Sequence, residues 1–302
     1  MIVSASRRTD LPACHAEWLC RRFSEGYALV RNPFRFHQVQ RVRLSPETVE
    51  GIVFWTKDPL PLAPRLALFR DFPWYFQWTL TPYGRDIEPG LPDKKRLLAA
   101  FRALAEAHGP LRFVWRYDPV LLSPRYTEAF HREAFRAFCE ALSGCADTCV
   151  VSFLDHYGPA SKRLAPLRAR APSPEEAARL TAYFLETAAR FGIALRACCE
   201  TGSGLPPAAC IDAARLSEIG GIPLDARKDR SQRPDCACAA SVDIGAYDTC
   251  RAGCLYCYAM RGAPRHTDPA SPLLTGPLLP EDIITERAMP SLRLSGEPSL
   301  FS

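Results

Sequence analysis

The sequence predicts an α/β protein built on a TIM-like (β/α) barrel that is incomplete or permuted. Short apolar, β-branched or aromatic runs alternate with longer segments that carry apolar residues at helical spacing. Strands that alternate with helices of this length form βαβ units and a parallel sheet. The residues that follow the runs are polar, as expected where strand ends gather at one face of a barrel. An open doubly wound sheet is the alternative architecture.

Each predicted element follows from a local pattern. The helices are expected at residues 93–108, 127–142 and 174–191, and the last of these begins with Pro174 after a Ser173 cap. An inserted hairpin is expected at residues 28–44, where two alternating runs flank a central Asn-Pro-Phe. The runs that predict strands are residues 2–4, 51–55, 74–80, 111–116, 148–153 and 193–198, with 222–224 and 242–244 as two shorter candidates.

The C-terminal part of the chain differs from the rest in composition. Helical periodicity fades near residue 234, cysteines then concentrate, and many of the 28 prolines follow. We therefore expect a barrel-like domain at residues 1–233 and a cysteine-rich, proline-rich segment at 234–302 that packs on it.

Composition restricts the class of protein. The chain has 302 residues, of which 47% are apolar and 24% charged, and its net charge is +5. This charge mildly favours anionic ligands but is small for a nucleic-acid-binding tail. No apolar stretch is long enough for a signal peptide or a membrane span. The 13 cysteines then predict a cytoplasmic protein whose thiols serve metal or redox sites.

The polar strand ends predict a charged pocket. Four cations in it, Arg7, Arg8, Lys57 and Arg116, would face a small-molecule or nucleotide-like anionic substrate. Three further residues are candidates for chemistry: Cys199 as a hydrogen donor, and Asp118 and Glu200 as proton carriers. Each of these residues, taken alone, also fits a capping, salt-bridging or small buried role.

A run of three cysteines stands near the end of the chain. Residues 250–259 read CRAGCLYCYA, so Cys250, Cys254 and Cys257 are separated by three and then two residues. Thiolates are soft ligands that select zinc or iron–sulfur clusters. Three of them hold three irons of a [4Fe–4S] cluster and leave the fourth iron open. The alternative is a zinc ion bound by Cys236, Cys238, Cys254 and Cys257, which leaves Cys250 unused.

The cysteine run resembles the CxxxCxYC signature of radical S-adenosylmethionine (SAM) enzymes, and its continuation CYA resembles the version in the spore photoproduct lyase group. The resemblance implies a [4Fe–4S] cluster that cleaves SAM to a 5′-deoxyadenosyl radical, with Tyr256 against the adenine. It also implies an electron donor such as flavodoxin or ferredoxin. Arg7, Arg8 and Lys57 would then hold the anionic group of the substrate.

The chain as a whole resembles an uncharacterised bacterial family that opens with SxSRRTDxPA and ends in a radical-SAM-like cysteine cluster. The matching segments here are residues 4–13, 54–59 and 243–259, together with YFQWT at 75–79, an approximate version of the family's YxxQxT. This second resemblance implies no established activity.

The position of the run departs from the radical SAM pattern. In those enzymes the cluster loop follows the first strand, whereas here it follows all the others. Since the last and first strands of a curled barrel can be neighbours, we expect residues 242–244 to lie beside residues 2–4. The cysteines would then reach the same edge as the SASRRTD segment.

A nucleic-acid-processing protein, similar to a repair lyase and carrying a structural zinc or cluster site, is the alternative function. Base stacking would use aromatic residues in the strand-end loops beside the arginines. The residues concerned are Trp55, Tyr83, Tyr117 and Tyr157.

Overall fold

A computed structural model describes residues 1–155, 158–200, 202–225 and 227–294. The main sheet has seven strands, all parallel, in the order β8-β7-β6-β5-β4-β1-β9. These strands are β1 (Ile2–Ala5), β4 (Gly51–Thr56), β5 (Trp74–Thr79), β6 (Phe113–Val120), β7 (Thr148–Phe153), β8 (Ala194–Ala197) and β9 (Ser241–Asp243). A smaller sheet contains β2 (Tyr27–Arg31), β3 (Gln38–Arg43) and β10 (Ile283–Glu286).

Helices connect the strands of the main sheet. In the described part of the chain they are α1 (Leu11–Cys14), α2 (Ala16–Glu25), α3 (Lys94–His108), α4 (Glu128–Leu142), α5 (Gly158–Leu164), α6 (Pro174–Arg190) and α7 (Ala213–Gly220), with 3₁₀ turns at Ala63–Phe69, Pro110–Arg112 and Ala165–Leu167. The prediction of an α/β fold with a parallel sheet is confirmed. Ser173 caps α6 in a full capping box with Glu176, as its sequence predicts.

Most predicted strands form within one or two residues of their expected limits, but one does not form. The inserted hairpin is confirmed, since β2 and β3 pair antiparallel. The strand expected at residues 222–224 is wrong: Leu224 makes only an isolated bridge to Arg293. Three residues between a glycine pair and an aspartate are too few to establish a ladder without a neighbouring strand.

The two faces of the main sheet are covered differently. Side chains such as Phe54, Phe76 and Trp115 pack into the larger core, together with residues of α2, α3, α4 and α6. The alternate residues, among them Val53 and Tyr75, face a second core that includes residues 208–216. Successive side chains of a strand therefore enter opposite cores. Most strands are buried on both faces for this reason and appear in the sequence as continuous apolar runs.

The sheet is open, and a closed barrel is not formed. Strands β8 and β9 are its two edges. One face of the sheet is covered by α7 and the loop before it: Leu216 lies where a Cβ on Gly51 would be, and Tyr75 Oη donates to the Cys210 carbonyl at 2.7 Å. The doubly wound alternative also differs from the structure, because β4 to β8 follow β1 in consecutive order.

The C-terminal segment contributes to both sheets. Its strand β9 completes one edge of the main sheet, and β10 pairs with β3 of the hairpin. Trp18 Nε1 donates to the Ser271 carbonyl at 2.9 Å, which fixes the proline-rich stretch on α2. No helix in the described ranges is long and apolar enough to cross a membrane.

Candidate metal centre

Strand β9 brings the cysteine run to the first strand of the sheet. It pairs in parallel with β1, with Ser4 opposite Asp243. The Asp243 carboxylate accepts hydrogen bonds from Ser4 Oγ at 2.8 Å, Ser6 Oγ at 2.6 Å and the Arg7 backbone N–H at 2.8 Å. The expected neighbourhood of residues 242–244 and 2–4 is confirmed, and the segment after β1 is tied to the segment that leads to the cysteines.

The cysteine run is an irregular loop that neighbouring segments hold through its backbone. Leu255 N–H donates to the Ile87 carbonyl at 3.0 Å, and Gly90 N–H donates to the Ala252 carbonyl at 3.0 Å. A Cβ at Gly90 would stand 2.7 Å from that carbonyl oxygen, so this close approach requires glycine. The Arg163 guanidinium donates to three loop carbonyls, those of Leu255, Cys257 and Met260.

The three thiols of the run share one small cluster of buried or half-buried residues. Cys250, Cys254 and Cys257 pack there with Tyr256, and each thiol affects the ionisation of another. Burial raises the pKa of Cys254 and of Cys257, so free thiols are favoured unless a cation binds. The chemistry of this all-sulfur donor set fits an iron–sulfur cluster.

A fourth thiol borders the run. Cys14, at the end of α1, is hydrogen-bonded to Cys250, and its sulfur accepts the Arg251 N–H at 3.3 Å. That bond lowers the pKa of Cys250, which makes Cys250 the thiol of the pair that ionises. Asp10, the cap of α1, lies next to them, and burial followed by the charge of Cys250 raises its pKa to about 7.

Lys57 belongs to a buried network beside the thiols. Its ammonium lies 3.0 Å from Glu88 Oε1 and 5.1 Å from the centre of the Tyr256 ring. Glu88 is fully buried and also accepts bonds from the Tyr256 hydroxyl, from Lys94 and from Thr81 Oγ1. Burial opposes its charge, but Lys57 and Lys94 outweigh this and lower the pKa of Glu88 to about 2. Lys57 is therefore a half-buried, charged ammonium that interacts with the charges of Glu88 and Cys254.

Arg116 and Asp118 form a second charged group, on strand β6. The Arg116 guanidinium contacts Asp118 at 2.5 Å and donates to Gln77 Oε1 at 3.3 Å and Cys210 Sγ at 2.9 Å. Burial opposes the charge of Asp118, but Arg116 and a bond from Ser152 lower its pKa overall. Asp118 is thus held ionised and already paired, while its charge also acts on Lys57.

Glu200 and Cys199 lie after β8. Glu200 accepts the Phe153 N–H at 2.7 Å, and burial raises its pKa to about 6, a value suited to proton transfer near neutral pH. Cys199 contacts Cys198 and Cys236. These contacts place it in another thiol group, and its role as a hydrogen donor remains a prediction.

Arg7 and Arg8 lie beside the residues that connect β9 to the cysteine run. Arg7 Nη2 lies 3.5 Å from Ser241 Oγ and 3.9 Å from Asp229, whereas Arg8 Nη1 donates to the Gly245 carbonyl at 3.4 Å. Both arginines therefore lie at the same edge as the run. Lys57 contacts Tyr256 of the run, and the Arg7 carbonyl accepts a bond from Tyr258 Oη at 2.8 Å.

The four cysteines of the alternative zinc site lie in two separate groups. Cys236 and Cys238 belong to the core that contains α7, apart from the cluster that holds Cys254 and Cys257. Across the described residues, no three His, Cys, Asp or Glu side chains are already gathered as the ligands of one metal ion. The number of residues between Cys238 and Cys254 fits a zinc site. However, β9 lies between the two cysteine pairs and places them at different positions in the fold.

The prediction that aromatic residues stack on nucleic-acid bases is wrong for two of them. Tyr83 and Tyr117 are buried in the core, where Tyr83 Oη donates to the Pro119 carbonyl and the Tyr117 hydroxyl contacts His131 Nδ1. Neither ring is accessible for stacking. Trp55 is half-buried and donates to Ser4 Oγ at 3.1 Å, and Tyr157 lies outside the described residues.

Sequence reasoning missed five residues of this centre. Asp10, Cys14 and Asp243 stand inside or next to the segments that carried the resemblance, so their positions in those motifs were the available signal. Nothing in the local sequence marks Glu88 or Arg163, because their partners come from distant segments.

Comparison with known proteins identifies the family. No curated protein and no solved structure is significantly similar to the chain. The family model described as Domain of unknown function (DUF1848) matches residues 2–259, which extend from β1 to the end of the cysteine run. Since this match spans most of the sequence, the chain belongs to the DUF1848 family.

Proposed function

We propose that the protein is a radical-SAM-like enzyme with a [4Fe–4S] cluster on Cys250, Cys254 and Cys257. The single observation that supports this most is the pairing of β9 with β1, which brings the three thiols to the strand-end edge where Lys57 and Asp10 lie. When bound and reduced, such a cluster supplies the electron that breaks the S–C5′ bond of SAM.

The protein residues around the thiols have separate roles in this proposal. Arg163 and the strand-end loop that contains Gly90 fix the backbone of the run. Tyr256, held through its hydroxyl by Glu88, presents its ring for the adenine. Arg116, Arg7 and Arg8 supply positive charge for an anionic substrate, and Glu200 accepts or delivers protons.

The geometry of the sheet also supports this reading. We propose that the open sheet acts as an incomplete, permuted barrel in which β9 takes the place beside β1 that a closing strand would take. An external donor of the flavodoxin or ferredoxin class would deliver electrons. The thirteen cysteines, all free thiols, are consistent with a reducing cytoplasm.

Metal content after anaerobic purification tests the cluster. Wild-type protein should contain about four irons per chain, and Cys254→Ala should lose most of the iron and the visible absorbance. Cys139→Ala is the matched control, since this thiol is buried in the core on α4. Equal iron loss in both variants would indicate general unfolding and contradict the assignment.

Addition of SAM tests the open iron. The electron paramagnetic resonance spectrum of the reduced cluster should change with SAM, and dithionite should drive slow formation of methionine and 5′-deoxyadenosine. A full cluster that shows neither response would refute the radical SAM proposal.

A further inference from the structure

Five cysteines gather in the core between the sheet and α7, apart from the run at 250–257. Cys210 Sγ lies 3.5 Å from Cys198 Sγ, and Cys210 is also linked to Cys238. Cys199 in turn contacts Cys198 and Cys236. All five thiols belong to one core cluster or pack against it.

These thiols come from three separate segments that have little regular structure. Cys198 and Cys199 follow β8, Cys210 precedes α7, and the other two precede β9. Only a few backbone bonds join the segments, among them Ala239 N–H to the Ile211 carbonyl at 3.0 Å. A cross-link through sulfur would therefore fix three loops whose own hydrogen bonding is sparse.

Two of these sulfurs accept hydrogen bonds. Arg116 Nη1 donates to Cys210 Sγ at 2.9 Å, and the Ile211 backbone N–H donates to Cys238 Sγ at 3.4 Å. Hydrogen-bond donors to ligating sulfur are the outer-shell partners that a metal–thiolate site requires. The positive charge of Arg116 also offsets part of the negative charge of a multi-thiolate centre.

The backbone at Cys199 provides an independent observation. Its φ is +56°, a left-handed conformation that non-glycine residues rarely adopt. Such conformations concentrate at functional sites. Here the conformation places two consecutive thiols so that one contacts Cys210 and the other contacts Cys236.

We infer that this group is a second metal site, of the four-thiolate zinc type, in which Cys210 and Cys238 are ligands and two of the other three cysteines complete the shell. The sulfurs are not already gathered as a three-ligand group, so binding requires side-chain rotation about the Cα–Cβ bonds. Four soft thiolates at a buried position select zinc, which prefers closed tetrahedral sulfur sites. The site holds the loops and Arg116 in place and needs no cluster at Cys250.

Zinc analysis with a chromophoric chelator tests the inference. Wild-type protein supplied with Zn²⁺ alone should bind about one ion per chain. The Cys236→Ala, Cys238→Ala double variant should bind it more than about 100-fold more weakly, since even outer-shell partners are worth 10–100-fold. Cys254→Ala should keep the zinc although it loses iron, and Cys139→Ala should keep both metals. A wild type that binds no zinc, or a double variant that binds it as tightly, overturns the site.

Zinc-edge X-ray absorption on wild-type protein remains decisive if the double variant does not fold. A shell of sulfur alone at about 2.3 Å supports the inference, and a shell that contains nitrogen or oxygen overturns it. Iron above four atoms per chain that disappears in Cys210→Ser would overturn the choice of zinc. Because the readouts are separate, failure here leaves the cluster proposal untouched, and the reverse also holds.

Discussion

At the scale of single residues, Cys14 changes the interpretation of the thiols. In sequence it looks like a core cysteine, whereas the structure places it half-buried against Cys250. A sulfur at this position supports Cys250, a ligand of the proposed cluster, through their hydrogen bond. Cys14 is therefore unsuitable as a control for the cluster, and Cys139 and Cys149 are the better core thiols.

Replacement of Cys14 measures its support of Cys250. Cys14→Ala should retain a cluster but lose iron to a chelator about tenfold faster, because outer-shell partners tune metal affinity by 10–100-fold. The measurement is the rate of iron release under anaerobic conditions, with Cys149→Ala as the control. Identical rates in the two variants would show that the Cys14–Cys250 contact has no influence on the metal.

Replacement of Glu88 tests the buried charge network. Glu88→Gln keeps the shape but leaves the Lys57 and Lys94 ammonium groups without their shared carboxylate. Removing one partner of a buried ion pair costs about 3–5 kcal/mol, and we expect a loss of that size in the free energy of unfolding. Urea denaturation measures it. The exposed Glu106→Gln, on α3, should change stability by less than about 0.5 kcal/mol, and equal effects would refute the network's importance.

At the scale of elements, helix α4 is joined to β6 through a buried imidazole. His131 Nδ1 contacts the Tyr117 hydroxyl at 2.8 Å, and Nε2 contacts the Leu121 carbonyl at 2.8 Å. The neutral ring satisfies both contacts when Nε2 carries the proton. Burial accordingly lowers the pKa of His131 to about 4.

This pairing predicts a dependence of stability on pH. Between pH 6.5 and 4 the unfolded histidine binds a proton that the folded one does not. The stability contribution of His131 is thus complete above about pH 6.5 and is lost as the pH falls towards 4, by up to about 3 kcal/mol.

Urea titrations of wild type and His131→Gln at pH 7 and pH 4.5 measure this difference. The variant should lose less stability on acidification than the wild type does. Some dependence should remain, because burial also lowers the pKa of His15 to about 4. A variant whose acid sensitivity equals that of the wild type would rule out His131 as a source.

At the scale of the whole molecule, the first and last strands of the main sheet, β1 and β9, lie side by side. Asp243 accepts bonds from Ser4 of β1 and from Arg7 after it, and it precedes the cysteine run, so the N-terminal motif and the cysteine run are one structural unit. We expect both segments to lose protection from hydrogen exchange when the Asp243 carboxylate is removed.

Hydrogen exchange tests this unit. Asp243→Ala removes an acceptor of four hydrogen bonds, from Ser4, Ser6, Arg7 and Gly245. Amides of residues 4–9 and 244–257 should both exchange faster, corresponding to about 1–3 kcal/mol of local stability. The exposed Asp71→Ala should leave both unchanged. Faster exchange in only one of the two segments would show that they are independent.

The sequence by itself determined the local features of this protein. Periodicity and caps predicted the strands, the inserted hairpin and α6, because these depend on neighbours within a few residues. The spacing of Cys250, Cys254 and Cys257 identified one group of candidate ligands, and the segments shared with the family indicated its membership.

Only the tertiary structure decided which distant residues meet. It separated Cys236 and Cys238 from the run, and it left β8 and β9 as the two edges of an open sheet, with α7 and its preceding loop packed on one face. It also brought Cys14, Glu88 and Arg163 to the thiols from segments far away in sequence. The physical reason is that such contacts depend on strand order and on the path of loops after a strand, and neither leaves a periodic signal in the local sequence.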